Sequence, residues 1–198
     1  MKYLCWNAGS LAILALALLT TASAGAQLSE AKVDELAEAA KADLQAKGFK
    51  FSFTDLAGEV VTEGDERFEG KVLLVDIWGT WCRPCRKEAP FLAALYETYK
   101  EQGLEIVGIA FEVSEDKAAN IERIKKFLEE STPGYTILYG GRTKENETVL
   151  PSSVVRLGFP TVIIIDGSGT VRKVEAGFWD KSAENIETTV KKLLEDDA

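Results

Sequence analysis

Residues 71–85, KVLLVDIWGTWCRPC, restrict the fold more than any other stretch of the chain. After Lys71, residues 72–78 form an apolar run broken only by Asp76, the pattern of a strand buried on both faces. Such a strand needs a covering layer on each side of its sheet, which points to an α/β protein. Residues 83–102 read as the following helix, closed by Gly103. This places Cys82 at the helix N-terminus and Cys85 one turn further in. Unpaired amides and the positive end of the helix dipole favour a thiolate at Cys82. In such motifs the first thiol's pKa falls to roughly 3.5–7.5. Pro84 suits a first helical turn, where its missing N–H costs no bond, and Arg83 adds a cation near the sulfur.

Two other uses of the cysteines are weaker. A structural zinc site takes four Cys or His ligands. The chain has three cysteines and no histidine, and the third, Cys5, lies in a different kind of segment. A structural staple between residues three apart closes a tiny loop and removes little unfolded-state entropy. A Cys-x-x-Cys between a buried strand and a helix is a strong redox signal.

The chain has 198 residues and a formal net charge of -9. The length suggests one domain. The charge argues against nucleic acid, which needs a basic patch, and disfavours any strongly anionic partner. The absence of histidine removes imidazole catalysis and imidazole metal ligands. Residues 1–26 read as a signal peptide: Lys2, an apolar run from Leu11 to Leu19, then small residues with cleavage expected after Ala24 or Ala26. The alternative is a retained membrane anchor, since residues 8–26 carry no charge. Cys5 precedes the apolar core, so it is not placed for lipid attachment. Export would put the cysteine pair where disulfides persist.

Along the rest of the chain, residues 27–48 form an expected N-terminal helix, with Val33, Leu36, Ala40 and Leu44 on one face, Ser29 at its start and Gly48 at its end. Phe49, Phe51 and Phe53 alternate ahead of an Ala57-Gly58 turn, a β-hairpin signal. LEIVGIAFE is a second buried strand, DKAANIERIKKFLEES a helix, and YTILY a strand. GGRTKENETVLPSS reads as a polar loop or short insertion. PTVIIID and TVRKVEAG form a hairpin about DGSG, and a last helix ends in a solvated acidic tail, LEDD.

VDIWGTWCRPCRKEAP resembles the active-site segment of the thioredoxin superfamily, specifically of the TlpA/ResA-like exported thiol–disulfide oxidoreductases. GFPTVIIIDGSGTV resembles that family's cis-proline strand and hairpin. The resemblance runs from about Phe51 to the C-terminus. It implies a thioredoxin-like domain over residues 49–198, a central mixed β-sheet flanked by helices, with an insertion at about 112–152. It implies a redox-active Cys82–Cys85 disulfide, with no other cofactor and no metal. Pro160 matches the cis-proline, and Phe159 before it would pair with a substrate strand. Asp76 matches the buried aspartate behind the second cysteine, and Glu88 the active-site glutamate of ResA-like proteins; either could handle the Cys85 proton. Trp81 and Arg83 are expected beside the substrate, Trp78 in the packing, and Pro90 at the helix kink.

The resemblance implies reduction of protein disulfides in the periplasm or another exported compartment, as in cytochrome c maturation. A membrane thiol–disulfide electron donor would recharge the pair, and a monomer is expected. Membrane attachment follows only if the N-terminal segment is retained. Oxidase or isomerase activity is the first alternative. A thiol peroxidase is a weaker one, because Val75 and Gly79 stand where the Pro-x-x-x-Thr-x-x-Cys pattern needs proline and threonine. A copper-handling role is weaker still, since the spacing is one residue short of Cys-x-x-x-Cys and histidine is missing.

Overall fold

The computed structural model describes residues 29–131 and 133–196. The expected signal segment and Cys5 lie outside the described residues. Helix α1 (Glu30–Lys47) is capped by Ser29, whose hydroxyl accepts from the Lys32 amide. It ends at Gly48, whose φ of 75° is strained for any other residue. A short hairpin follows, β1 (Ser52–Asp55) and β2 (Val60–Thr62). Then come β3 (Val72–Trp78), α2 (Arg83–Tyr99), β4 (Leu104–Glu112), α3 (Lys117–Ser131) and β5 (Thr136–Arg142). Two four-residue turns of helix, α4 (Asn146–Val149) and α5 (Ser152–Val155), lead to β6 (Thr161–Ile165), β7 (Val171–Ala176) and α6 (Asp180–Asp196).

The strands form one sheet in the order β2-β1-β5-β4-β3-β6-β7. Neighbours β3, β4 and β5 are parallel; the other pairs are antiparallel. This is the mixed sheet flanked by helices that the sequence implied. All seven residues of β3 are buried, as its apolar run requires.

One face of the sheet packs under α1 and α5, on Leu73, Val75, Ile77, Val107, Ile109 and Phe111, with Phe49, Phe51, Phe53 and Phe68 filling its margin. Gln45 of α1 donates to the Val171 carbonyl, tying the N-terminal helix to β7. The opposite face carries Leu74, Asp76 and Trp78 and is covered by α2, α3 and α6.

The helix and strand expected within residues 112–152 form as α3 and β5. One expectation changes. β5 runs through Gly140, Gly141 and Arg142, which were expected in a polar loop. Gly140 is needed there because a Cβ would meet the Phe111 ring at 2.7 Å. The last helix runs to Asp196 as expected, with Leu193 and Leu194 buried and the acidic Glu195 and Asp196 exposed.

Candidate active site

β3 ends at Trp78, and Gly79-Thr80-Trp81 carries the chain to Cys82, the N-cap of α2. The Cys85 amide donates to Cys82 Sγ at 3.2 Å, so the sulfur takes one of the helix's unpaired N–H groups. Cys82 and Cys85 are bonded, S–S 2.03 Å. Both are buried; Arg83 and Pro84 between them are exposed. Pro84 falls in the first turn, as its missing N–H demands. Pro90 lies within α2, where it removes a ladder bond.

Trp81 lies on the surface, 44% exposed, with its indole N–H donating to the Phe111 carbonyl at 2.9 Å. Gly79 makes this possible: a Cβ there would sit 2.5 Å from both that carbonyl and the indole nitrogen. The Trp81 ring meets Phe159 edge-on at 5.3 Å, and Phe159 packs against Phe111 and the cluster holding Trp78, Cys82 and Cys85. The Phe159–Pro160 bond is cis. Thr161 Oγ1 donates to the Gly158 carbonyl across the turn, and the Pro160 carbonyl accepts from Gly177. Trp78 packs on Phe127 of α3, centroids 5.3 Å apart.

Beneath Cys85 the lining turns acidic. Asp76, Cys85, Tyr135, Trp78 and Phe127 border a crevice with no room for a water molecule. Burial pushes the Asp76 carboxyl up to about 8. Glu88 is not the solvated helix charge its Arg-Lys-Glu setting suggests: it is 0% exposed. Neither of its oxygens has a hydrogen-bond partner among the described residues. Burial raises its pKa well above the usual carboxylate range, with further lifts from Asp76 and then Glu175. The Tyr135 hydroxyl is raised by burial and then by the two acids. Burial thus favours the protonated form of both carboxyls, and each raises the cost of ionising the other.

Three residues here escaped the sequence reading. Glu112, at the end of β4, is fully buried; its carboxylate accepts from the Thr80 amide (2.8 Å) and hydroxyl (2.9 Å) and meets Arg123 Nη1 at 3.4 Å. It fixes the loop that presents Cys82. Glu175 lies buried on β7, and Tyr135 precedes β5. An acid closing an apolar run, as Glu112 does in LEIVGIAFE, is the only sequence signal for any of them. No group of three or more His, Cys, Asp or Glu among the described residues is arranged to hold a metal ion.

Comparison with known proteins agrees with this geometry. Residues 42–174 match the AhpC/TSA family. The thiol–disulfide oxidoreductase ResA of Bacillus thuringiensis is 33% identical over 145 residues, which cover 72% of this chain and 74% of that protein. Among solved structures, a thiol:disulfide interchange protein from a Bacteroides species is 29% identical with a TM-score of 0.58, covering 74% of this chain and 86% of that one. The thioredoxin domain of a Bacteroides vulgatus thiol–disulfide oxidoreductase is 30% identical with a TM-score of 0.56, covering 71% and 93%. The chain belongs to the AhpC/TSA family and is a thiol–disulfide oxidoreductase of the thioredoxin superfamily.

Proposed function

We propose that the protein reduces disulfides of exported proteins, cytochrome c maturation being one such setting, with Cys82 attacking and Cys85 resolving. The Cys82 thiolate attacks one sulfur of the substrate disulfide; that bond breaks, and the other substrate sulfur leaves as a thiolate. Asp76 or Glu88, in its ionised form, takes the Cys85 proton, and the Cys85 thiolate attacks Cys82 Sγ. The mixed disulfide breaks, the substrate leaves with two thiols, and its two electrons have come from the Cys82–Cys85 pair. A membrane thiol–disulfide donor then returns two electrons. The protein works as a monomer in the periplasm or a comparable exported compartment.

The observation that carries this reading is the placement of a helix-capping sulfur, Cys82, beside the Trp81–Phe159 platform, with Cys85 sharing a crevice with the buried Asp76 and Glu88 buried one helical turn on. Trp81 and Phe159 form the substrate-facing surface, with the buried Pro160 holding its turn; the Phe159 backbone pairs with the substrate strand. Arg83 is exposed, so water screens its support of the thiolate. The acids act in a dry interior where electrostatic effects are larger. That balance favours the reductase direction. The test is Cys82→Ser, expected to abolish dithiothreitol-driven insulin reduction; unchanged activity overturns the mechanism. Direction is read from the reduction potential of the pair. A value near about −270 mV fits a reductase, and one near about −120 mV reverses the assignment.

A further inference from the structure

The formal charge of -9 predicts that anionic partners are repelled, yet the cations are not spread evenly. Arg83, Arg86 and Lys87 are exposed on the first turns of α2, and Arg123 and Lys126 are exposed on α3. Arg86, Arg123 and Lys126 line an open groove of about 280 Å³ together with Thr80, Phe127 and Glu130. The groove begins at Thr80, two residues before Cys82, so a chain with its sulfur on Cys82 reaches it within a few residues.

The groove's cations are held ready for an incoming group. The Arg86 guanidinium lies over the Phe127 ring, 5.8 Å from its centroid, which orients the fork without consuming its charge. Arg123 leans on Glu112 but stays 47% exposed, and both Glu112 oxygens already accept from Thr80. Lys126 and Arg86 make no ion pair among the described residues. Glu130 is the acid in the lining, leaving a local positive excess. At physiological salt, charges beyond about 8 Å are largely screened, so a small partner group feels this patch rather than the whole molecule.

We infer that this α2–α3 groove selects polypeptides carrying acidic residues close to the reacting cysteine. The inference rests on the oxidoreductase reading and names the substrate class for that same site. Guanidinium forks suit carboxylates. An extended polyanion or a charged bilayer would also meet the acidic remainder of the surface, whereas a short acidic segment fits the patch alone.

The test uses two synthetic disulfide peptides identical except for flanking Glu or Lys residues, plus a small neutral disulfide, each reacted with the reduced protein. The acidic peptide is expected to react about tenfold faster than the basic one at low ionic strength, with the ratio falling towards one near about 1 M salt. The ratio should drop several-fold in K126E and fall below one in R86E/K126E. Because the readout is a ratio, altered thiol reactivity cancels, and the neutral disulfide reports it separately. A ratio near one in the wild type, or one that survives the double reversal, overturns the proposal. So does a wild-type ratio near one with charge-dependent binding to phosphatidylglycerol vesicles, which would assign the groove to a membrane surface. Failure of the wild type to reduce the neutral disulfide would instead overturn the oxidoreductase reading beneath it.

Discussion

On one side of the disulfide, Glu112 is buried where β4 meets the active-site loop; on the other, Glu88 is buried beneath Cys85, and each is 0% exposed. Glu112 has the Thr80 amide, the Thr80 hydroxyl and Arg123 around it. Glu88 has no hydrogen-bond partner among the described residues and faces other acids, Asp76 and Glu175. Burying an ionised carboxylate without partners costs several kcal/mol, so burial favours the protonated form of Glu88, while the fully bonded Glu112 can serve as a fixed anchor. The same side chain, equally buried, is a brace in one region and a proton store in the other. What separates them is the neighbouring donor set.

The largest expected effect tests the brace. Glu112→Ala strands the buried Thr80 amide and hydroxyl and leaves a cavity, so stability should fall by about 3 kcal/mol in urea denaturation. Glu88→Gln, at equal burial, should lose less than about 1 kcal/mol at low pH and gain on the wild type as pH rises above the ordinary carboxylate range, because no hydrogen bond is broken and no charge need be buried. Equal losses for the two variants would erase the contrast.

The second effect is on chemistry and its pH dependence. Folded, Asp76 keeps its proton up to about pH 8; unfolded, it loses it near about pH 4. The folded chain therefore holds more protons between those limits. Asp76's contribution to stability is complete below about pH 4 and is lost as pH rises towards 8, by at most about 1.4 kcal/mol per pH unit. Asp76→Asn should flatten that fall in thermal melts between about pH 5 and 8. The same substitution should slow resolution of a trapped mixed disulfide about 10²-fold, the usual scale for losing a positioned base. A variant with wild-type resolution and a wild-type pH slope would show that Asp76 is only a packing residue.

The brace and the proton store were not equally visible in the sequence. The strand–turn–helix around Cys82 was legible because β3 is buried on both faces and its single acid stands out in VLLVDIW. The cis-Pro160 turn was legible only through resemblance; nothing in GFPT specifies the isomer. Glu88 was recognised as a candidate but its burial was hidden, since Arg86 and Lys87 beside it are exposed and helical spacing alone does not tell which turn is covered. Glu112 was read as a strand end: its partners Thr80 and Arg123 are distant in sequence, at 32 and 11 residues. The length of β5 was missed because Gly140-Gly141 reads as a turn until the Phe111 ring fills the space above Gly140.

The smallest expected effect probes how far the acidic region extends. Asp76 pairs with Val162, and Val162 with Glu175, so the two acids stand in one row on one face, two strands apart. At about 10 Å and an effective dielectric constant of about 20, an ionised Glu175 would shift an acid in this layer by about one pH unit. Lys173 at 3.3 Å and Asn185 at 3.3 Å reduce that influence. Removing the charge in Glu175→Gln should therefore lower the pH midpoint of mixed-disulfide resolution by less than about one unit. Lys173→Gln leaves Glu175 uncompensated and should raise the midpoint. Opposite displacements by these two substitutions on the same strand would mark Glu175 as part of the proton store; a common displacement, or none, would confine the store to Asp76 and Glu88.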